Sequence, residues 1–498
     1  MTHAVSRRYF LGTAAAACLI GGPALAAPPE ASLRPVMRGD DHFKRAVASV
    51  EDILKEAQLT DHVSFAVMDV KTGKALESSD ATTARPPASV AKAITALYAL
   101  DTLGEDHRFE TQLIATGGIT DGEVMGDLVL VGGNDPALET DMLATMAGNL
   151  KAAGIFGVRG EFKVFEASLP VLARIDTEQP DQVGYNPGVS GLALNYNRVH
   201  FEWKRTGSSY AVTMEGRTDK YRPAVRMAAM QIRDRAAPVY TYESREGIDV
   251  WTVARGALGG SGSRWLPVRK PGLYAGEVFQ SLAGSHGIRL GAPKMIDTLP
   301  EGEINVRHQS ADLRSILQDM LKWSTNLTAE MIGLAATTAR SGKPESLKAS
   351  AQAMSAWAQT NLGMQSAALV DHSGLGDDSR VTATEMVAAL MKAHSEGLRD
   401  ILKPIAMRDE KRKVLADHPV KVDAKTGTLN FVSSLAGYLT APDGTEMAFA
   451  IFASDESIRK TLSRAQREDP PGGSAWNRRA KRMQQQLIER WAVLYAAA

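Results

Sequence analysis

The sequence predicts an α+β protein whose main domain is split along the chain. That domain is a five-stranded antiparallel sheet flanked by helices, and a β-rich region is inserted into it. Three observations predict this. Residues 63–70 are β-rich, and Lys71-Thr72-Gly73-Lys74 reads as a hairpin turn before a second short strand. Three further strands, at 420–429, 433–439 and 446–453, lie near the C-terminus, the last two joined by an Asp443-Gly444 turn. Between these groups, from Phe109 to about Asn305, the chain reads as short alternating runs punctuated by glycine. The 498 residues suffice for two or three domains. The expected division is 27–108 with 306–498 for the split domain and 109–305 for the insertion.

The first residues read as a targeting segment rather than part of the fold. Ser6-Arg7-Arg8-Tyr9-Phe10-Leu11 is a twin-arginine pattern, followed by an apolar run to Ile20 and the small-residue site Ala24-Leu25-Ala26. Cleavage near Ala26 and export to the periplasm are expected. The single cysteine, Cys18, falls inside this segment, so the mature chain carries no disulfide, no thiol nucleophile and no cysteine metal site. Apolar residues continue beyond Cys18 and alanine stands at position 15, which argues against lipid attachment. Basic and acidic residues balance at 57 each. No broad field therefore draws the chain to nucleic acid or to a membrane surface, and function must come from a local site.

After a Pro-rich linker to Pro35, the apolar spacing of Phe43, Val47, Val50 and Leu54 predicts an amphipathic helix over 40–59. Pro86-Pro87-Ala88 precedes an alanine-rich helix from Ser89 to about Leu103. Within the middle region, 127–131 and 199–203 read as strands, Gly259-Gly260-Ser261-Gly262 as a break and 274–285 as a helix. Leu313, Ile316, Leu317, Met320 and Leu321 mark the apolar face of a helix, and further helices follow to about His394. The last helix, 474–495, carries Trp476, Met483, Leu487, Trp491 and Leu494 on one stripe. The stripe reads as packing on the sheet in preference to a membrane interface.

Three short motifs carry chemistry. In Ser89-Val90-Ala91-Lys92 the serine and lysine are three apart at a helix start, so the amine can reach the hydroxyl. A serine needs such a base to act as nucleophile, and the lysine needs a lowered pKa to serve. Ser324-Thr325-Asn326 follows the helix ending at Trp323 and offers a hydroxyl relay and an amide to hold a substrate carbonyl or the lysine. Lys425-Thr426-Gly427-Thr428 lies on the first C-terminal strand, where charge and hydroxyls can bind a carboxylate and glycine leaves room for a substrate backbone. Two motifs are duplicated. Ser457-Ile458-Arg459-Lys460 reads as charged surface and Lys71-Thr72-Gly73 as the hairpin turn. The ten histidines are scattered without ligand spacing, so no metal site and no cofactor is expected.

Serine-x-x-lysine, serine-x-asparagine and lysine-threonine-glycine, in this order, match the motif set of class A β-lactamases and penicillin-binding proteins. Over nearly its whole mature length the chain resembles the D-alanyl-D-alanine carboxypeptidase/endopeptidase family of penicillin-binding proteins, low-molecular-mass class C. Gly126 to Leu138, Tyr185 to Val199, Ser324 to Met331, Asp371 to Leu375 and Lys425 to Leu439 carry the resemblance further. It implies a β-lactamase/transpeptidase-like catalytic domain with a large insertion between the first two motifs. It also implies an exported serine hydrolase acting on peptidoglycan stem peptides through an acyl-enzyme, with β-lactam antibiotics as covalent inhibitors.

The implied roles are Ser89 as nucleophile, Lys92 as base, Ser324 and Asn326 as proton and substrate network, and Lys425, Thr426, Gly427 and Thr428 as substrate-binding strand. Backbone N–H groups of Ser89 and Thr428 would form the oxyanion hole. The chain departs from the family at residues 402–408, a short basic segment flanking the cleft, and at His372, where the family has glycine. His372 reads as a turn or surface residue, and Asp135 as a turn residue. A β-lactamase or esterase of the same fold, and a non-catalytic peptidoglycan-binding protein, are the competing readings.

Overall fold

A computed structural model describes residues 47–409 and 411–496. The targeting segment, the Pro-rich linker and Phe43 lie outside the described residues. The first helix is Val50–Ala57. Ser49 caps it, accepting a hydrogen bond from the Asp52 amide at 3.1 Å, and Gln58 ends it in the left-handed region at φ 57°.

Two N-terminal strands, Val63–Asp69 and Ala75–Ser79, join three C-terminal strands, Lys421–Leu429, Val432–Thr440 and Glu446–Ser454, in one antiparallel sheet. The closing contact is between strands far apart in sequence: Val63–Asp69 pairs with Glu446–Ser454, Phe65 opposite Ile451. The sheet has six strands rather than the expected five, because Lys403–Pro404 adds a short edge beside Ala424 and Asp423. Pro404 has no N–H to give to a ladder, which suits an edge position.

Alternation along the strands sorts side chains to two faces. Ala436, Tyr438, Ala448, Ala450 and Phe452 face a helical layer containing Ala91–Leu103, Leu313–Trp323, Leu347–Leu362 and Ala383–Ala393. The small alanines let the helices come close. Leu435, Leu439, Phe449 and Ile451 face the first helix and the last, Gly473–Leu494. Trp491 of that last helix sits against Phe65 and Phe449, with ring centroids 5.5 and 5.9 Å away. Its apolar stripe is therefore spent on the sheet, as the sequence suggested. No helix among the described residues is long and apolar enough to cross a membrane.

The strands between residues 110 and 309 pair only among themselves, in one five-stranded and three three-stranded sheets. They share a separate apolar core with Thr140–Ala152 and Pro271–Ser285. The first strand of this segment, Glu110–Ala115, pairs antiparallel with the last, Glu303–Gln309, so the chain enters and leaves side by side. The last strand carries the segment a few residues beyond 305.

Candidate active site

Ser89 stands on a short 3-10 turn, Ala88–Val90, just before the helix Ala91–Leu103 rather than on its first α-turn. Two prolines lead into it, and Ala88 is held in the left-handed region at φ 45°. A non-glycine residue there is strained, and such strain persists only where the surroundings impose it. Lys92 is fully buried behind the serine. Its Nζ lies 2.9 Å from Ser89 Oγ, 2.8 Å from Asn326 Oδ1 and 2.7 Å from the carbonyl oxygen of Ser373. Burial lowers the lysine to about 8, against the opposing pull of the Glu330 and Asp371 carboxylates. The amine is thus poised to accept a proton near neutral pH.

The second motif occupies a break between helices. Leu313–Trp323 stops at Ser324, which adopts φ 59° and ψ 41°, and the next helix, Asn326–Ser341, begins two residues later. This kink turns Ser324 towards the third motif and Asn326 towards the first. Ser324 Oγ accepts from Lys425 Nζ at 2.8 Å, and the Asn326 amide donates to the Tyr185 carbonyl at 3.0 Å.

Lys425 is buried, while Thr426 and Thr428 are exposed on the same strand. Its Nζ donates to the carbonyl of Thr426 at 2.7 Å as well as to Ser324. Among the described residues no carboxylate lies within ion-pair distance of it. Burial, with Lys92 and Lys403 nearby, pushes the amine well below the ordinary lysine range. Gly427 has a reason that the sequence did not suggest. A Cβ there would stand 2.7 Å from the Pro87 carbonyl oxygen and 3.0 Å from the Ser89 nitrogen, so glycine makes room for the Ser89 backbone. Lys403–Pro404 covers this strand only at Asp423 and Ala424. Among the described residues no strand pairs with the 425–429 stretch on that edge.

Ser89, Ser324, Asn326, Thr426 and Thr428 line one cleft of about 410 Å³, and Tyr185 reaches it from the middle region. All eight sequence-predicted positions therefore converge, seven by direct side-chain contact or cleft lining and Gly427 by packing its backbone beneath Ser89. The serine and lysine of the duplicate motifs do not join them, but Arg459, expected on the charged surface, is buried against Asp377 and lines the same cleft. Thr72 and Gly73 form a turn on Asp69, whose Oδ1 accepts from the Thr72 amide at 2.6 Å. Ser457 and Lys460 are exposed, and the Ser457 hydroxyl donates to Asp455 at 2.6 Å. Asp135 Oδ1 caps its own turn, accepting from the Ala137 amide at 2.9 Å.

His372 is not the turn or surface residue expected. Its ring is fully buried, with Nε2 2.8 Å from Ser350 Oγ and Nδ1 against Met354, and burial holds it down at about 3. Gly333 opens the slot it fills, since a side chain there would collide with the ring. Sequence reasoning also gave no role to Glu330, Asp371 or Ser373. Two acidic residues in segments otherwise poor in charge, one of them two positions before Ser373-Gly374, were the available signal.

A family model described as the D-Ala-D-Ala carboxypeptidase 3 (S13) family matches residues 46–469. The chain is 28% identical over 444 residues to a D-alanyl-D-alanine carboxypeptidase of Actinomadura sp. strain R39, covering 82% of this chain and 80% of that one. It is 24% identical to the D-alanyl-D-alanine carboxypeptidase DacB of Haemophilus influenzae, covering 84% and 91%. The fold is similar to the crystal structure of penicillin binding protein 4 (dacB) from Haemophilus influenzae, with a TM-score of 0.69, 19% identity and coverage of 82% and 93%. A second structure of that protein, complexed with a novel β-lactam, gives a TM-score of 0.68. With the matched span running through all three motifs, the chain belongs to the D-Ala-D-Ala carboxypeptidase 3 (S13) family of serine hydrolases.

Proposed function

We propose that the protein is a penicillin-binding serine D-Ala-D-Ala carboxypeptidase, and an endopeptidase on D-Ala–meso-diaminopimelate cross-links, that cleaves peptidoglycan stem peptides through an acyl-enzyme. The observation that carries this reading is the contact of one buried lysine, Lys92, with Ser89 Oγ at 2.9 Å and Asn326 Oδ1 at 2.8 Å. Lys92 takes the Ser89 proton as Oγ attacks the carbonyl carbon of the D-alanyl bond. Backbone N–H groups of Ser89 and Thr428 receive the oxyanion. The proton held on Lys92 then passes by way of Ser324, in contact with Lys425, to the departing amine; water next adds its hydroxyl to the acyl carbon and returns its other proton to Ser89 Oγ, releasing the acid. Lys425, Thr426 and Thr428 take the substrate's terminal carboxylate.

On this reading the catalytic domain is split, 27–108 with 306–498, and 109–305 is an insertion that supplies one wall of the cleft through Tyr185. The self-contained pairing of its strands supports this. Export to the periplasm behind a cleaved twin-arginine segment, residues 1–26, puts the enzyme where its substrate is. β-Lactams would acylate Ser89, a reading favoured by the β-lactam complex of the Haemophilus influenzae relative.

The test is brief exposure to a fluorescent penicillin followed by mass spectrometry. A long-lived adduct on Ser89, absent from Ser89→Ala and retained in Ser457→Ala, is the expected result. Rapid turnover of the adduct would instead indicate a β-lactamase, and no adduct a peptidoglycan-binding protein.

A further inference from the structure

Asn326 and Glu330 lie four residues apart on the helix Asn326–Ser341, hence on one face. Asn326 touches Lys92 directly. Glu330, fully buried, reaches it through the 371–376 loop. Glu330 Oε2 accepts from the His372 amide at 2.9 Å and Oε1 from the Ser373 amide at 3.0 Å. Asp371, also buried, accepts from the Gly374 and Gly376 amides at 2.6 Å each. Four carboxylate oxygens thus hold four backbone N–H groups of one short loop. That loop makes one contact with the base and one with the turn that carries Ser89. The Ser373 carbonyl accepts from Lys92 Nζ at 2.7 Å, and Gly374 lies so close under Ala88 that a side chain would strike its carbonyl oxygen.

The consequence concerns the lone pair of the base. A neutral lysine amine has two N–H donors and one lone pair. Asn326 Oδ1 and the Ser373 carbonyl are the two acceptors that can take both N–H groups. The lone pair is then left facing Ser89 Oγ, 2.9 Å away. One acceptor is fixed by Asn326 itself and the other by the Glu330 carboxylate, acting through the loop.

We propose that Glu330 is a positioning residue for acylation: its carboxylate clamps the amides of His372 and Ser373 so that the Ser373 carbonyl orients the Lys92 amine towards Ser89. The inference rests on the acyl-enzyme reading above. The charged and titratable groups facing this cluster are Lys92 from the Ser89 helix, Glu330, Asp371 and the neutral His372 from the loop, and Lys425 from the strand. Asp176 acts on Asp371, and Lys403 on Lys425. Burial and the adjacent Asp371 push Glu330 upward, opposed by the Ser373 and His372 amides and by Lys92, while Glu330 in turn favours the protonated form of Lys92. Removing its charge therefore makes Lys92 easier to deprotonate.

The experiment measures the second-order rate of Ser89 acylation by a fluorescent penicillin across the neutral to alkaline range, for wild type and Glu330→Gln. Glutamine offers one acceptor where two amides need one each. The expected result is a rate about ten- to a hundredfold lower, with the acid limb moved about one pH unit towards acid. A residue that only supported the fold would lower the rate without moving the limb. A folded Glu330→Gln protein with the wild-type rate, or with an unmoved limb, overturns the inference. If that variant does not fold, Glu330→Asp decides, since it keeps the charge but withdraws the carboxylate. A slower rate with the limb in place supports the inference, and a wild-type rate or a moved limb overturns it. A wild-type protein that takes no adduct overturns the acyl-enzyme reading and this inference together. A labelled wild type beside a variant of equal rate overturns the inference alone.

Discussion

Gly427 lies directly against Ser89: a Cβ at position 427 would come within 3.0 Å of the Ser89 backbone nitrogen. That nitrogen is one of the two proposed to receive the oxyanion. The strand Lys421–Leu429 and the Ala88–Val90 turn are therefore packed backbone to backbone, and the glycine is what permits it. Gly427→Ala should displace the Pro87–Ser89 backbone, because the neighbouring Pro87 carbonyl has no flexible side chain to yield. Overpacking of this kind costs about 1–3 kcal/mol. We expect a lowered melting temperature and penicillin acylation slowed about tenfold or more. Gly73→Ala, in the duplicate motif, is the control. It has open space around it at φ +68°, so it should cost about 1 kcal/mol of stability and leave acylation unchanged. Equal acylation in wild type and Gly427→Ala would refute the packing argument.

Much of this arrangement was legible in the sequence, and the reason is local. Ser89 and Lys92 share a helix start, Ser324 and Asn326 an inter-helix break, and Lys425 to Thr428 a strand. Each context could be read from periodicity around the motif. That two N-terminal and three C-terminal strands share one sheet followed from where the β-patterned segments lay, whereas their order, with Val63–Asp69 beside Glu446–Ser454, comes from the structure. What could not be read was long-range. Lys403–Pro404 has too few residues to look like a strand, and it becomes one only because Asp423 and Ala424 pass beside it. The buried state of His372 depends on an absent side chain at Gly333, in another helix. The same holds for Glu330, whose partners are amides 42 and 43 residues away.

The burial of His372 predicts a specific acid sensitivity. The native ring resists protonation down to about 3, whereas an unfolded histidine protonates near 6.5. Below that value the unfolded chain binds a proton that the native state refuses, so this residue makes stability fall as pH drops. The slope is about 1.4 kcal/mol per pH unit between those limits. His372→Gln can still bond to Ser350 but cannot titrate. Urea unfolding of both proteins at neutral pH and again at about pH 5 should show the wild type losing more stability than the variant. The difference between the two proteins isolates His372 from Glu330, whose raised pKa acts in the opposite sense. Parallel losses would place a water or an anion beside the ring.

Lys425 poses a different question, because its environment opposes its charge. The side chain is 1% exposed, its hydrogen bonds go to a hydroxyl and a carbonyl, and its charged neighbours Lys92 and Lys403 repel it. A buried cation in such a place destabilises the empty protein. It is tolerated if an anion completes the site, and the proposed anion is the carboxylate of the substrate or of a β-lactam. Lys425→Met, similar in length and without charge, should then separate stability from activity. In the absence of ligand the variant should melt at the same temperature as wild type or higher, since an unpaired buried charge has been replaced by apolar surface. Acylation by a carboxylate-bearing penicillin should fall about ten- to a hundredfold, the range for one lost charge-assisted contact. A penicillin esterified at that carboxylate should lose far less, because it never made the contact. Two measurements, a melting curve and a comparison of acid with ester, check the argument. A variant that melts well below wild type would mean that Lys425 stabilises the strand rather than the ligand. Equal losses for acid and ester would mean that it acts on Ser324 and the proton relay, and the carboxylate would then have to be held by Thr426 and Thr428 alone.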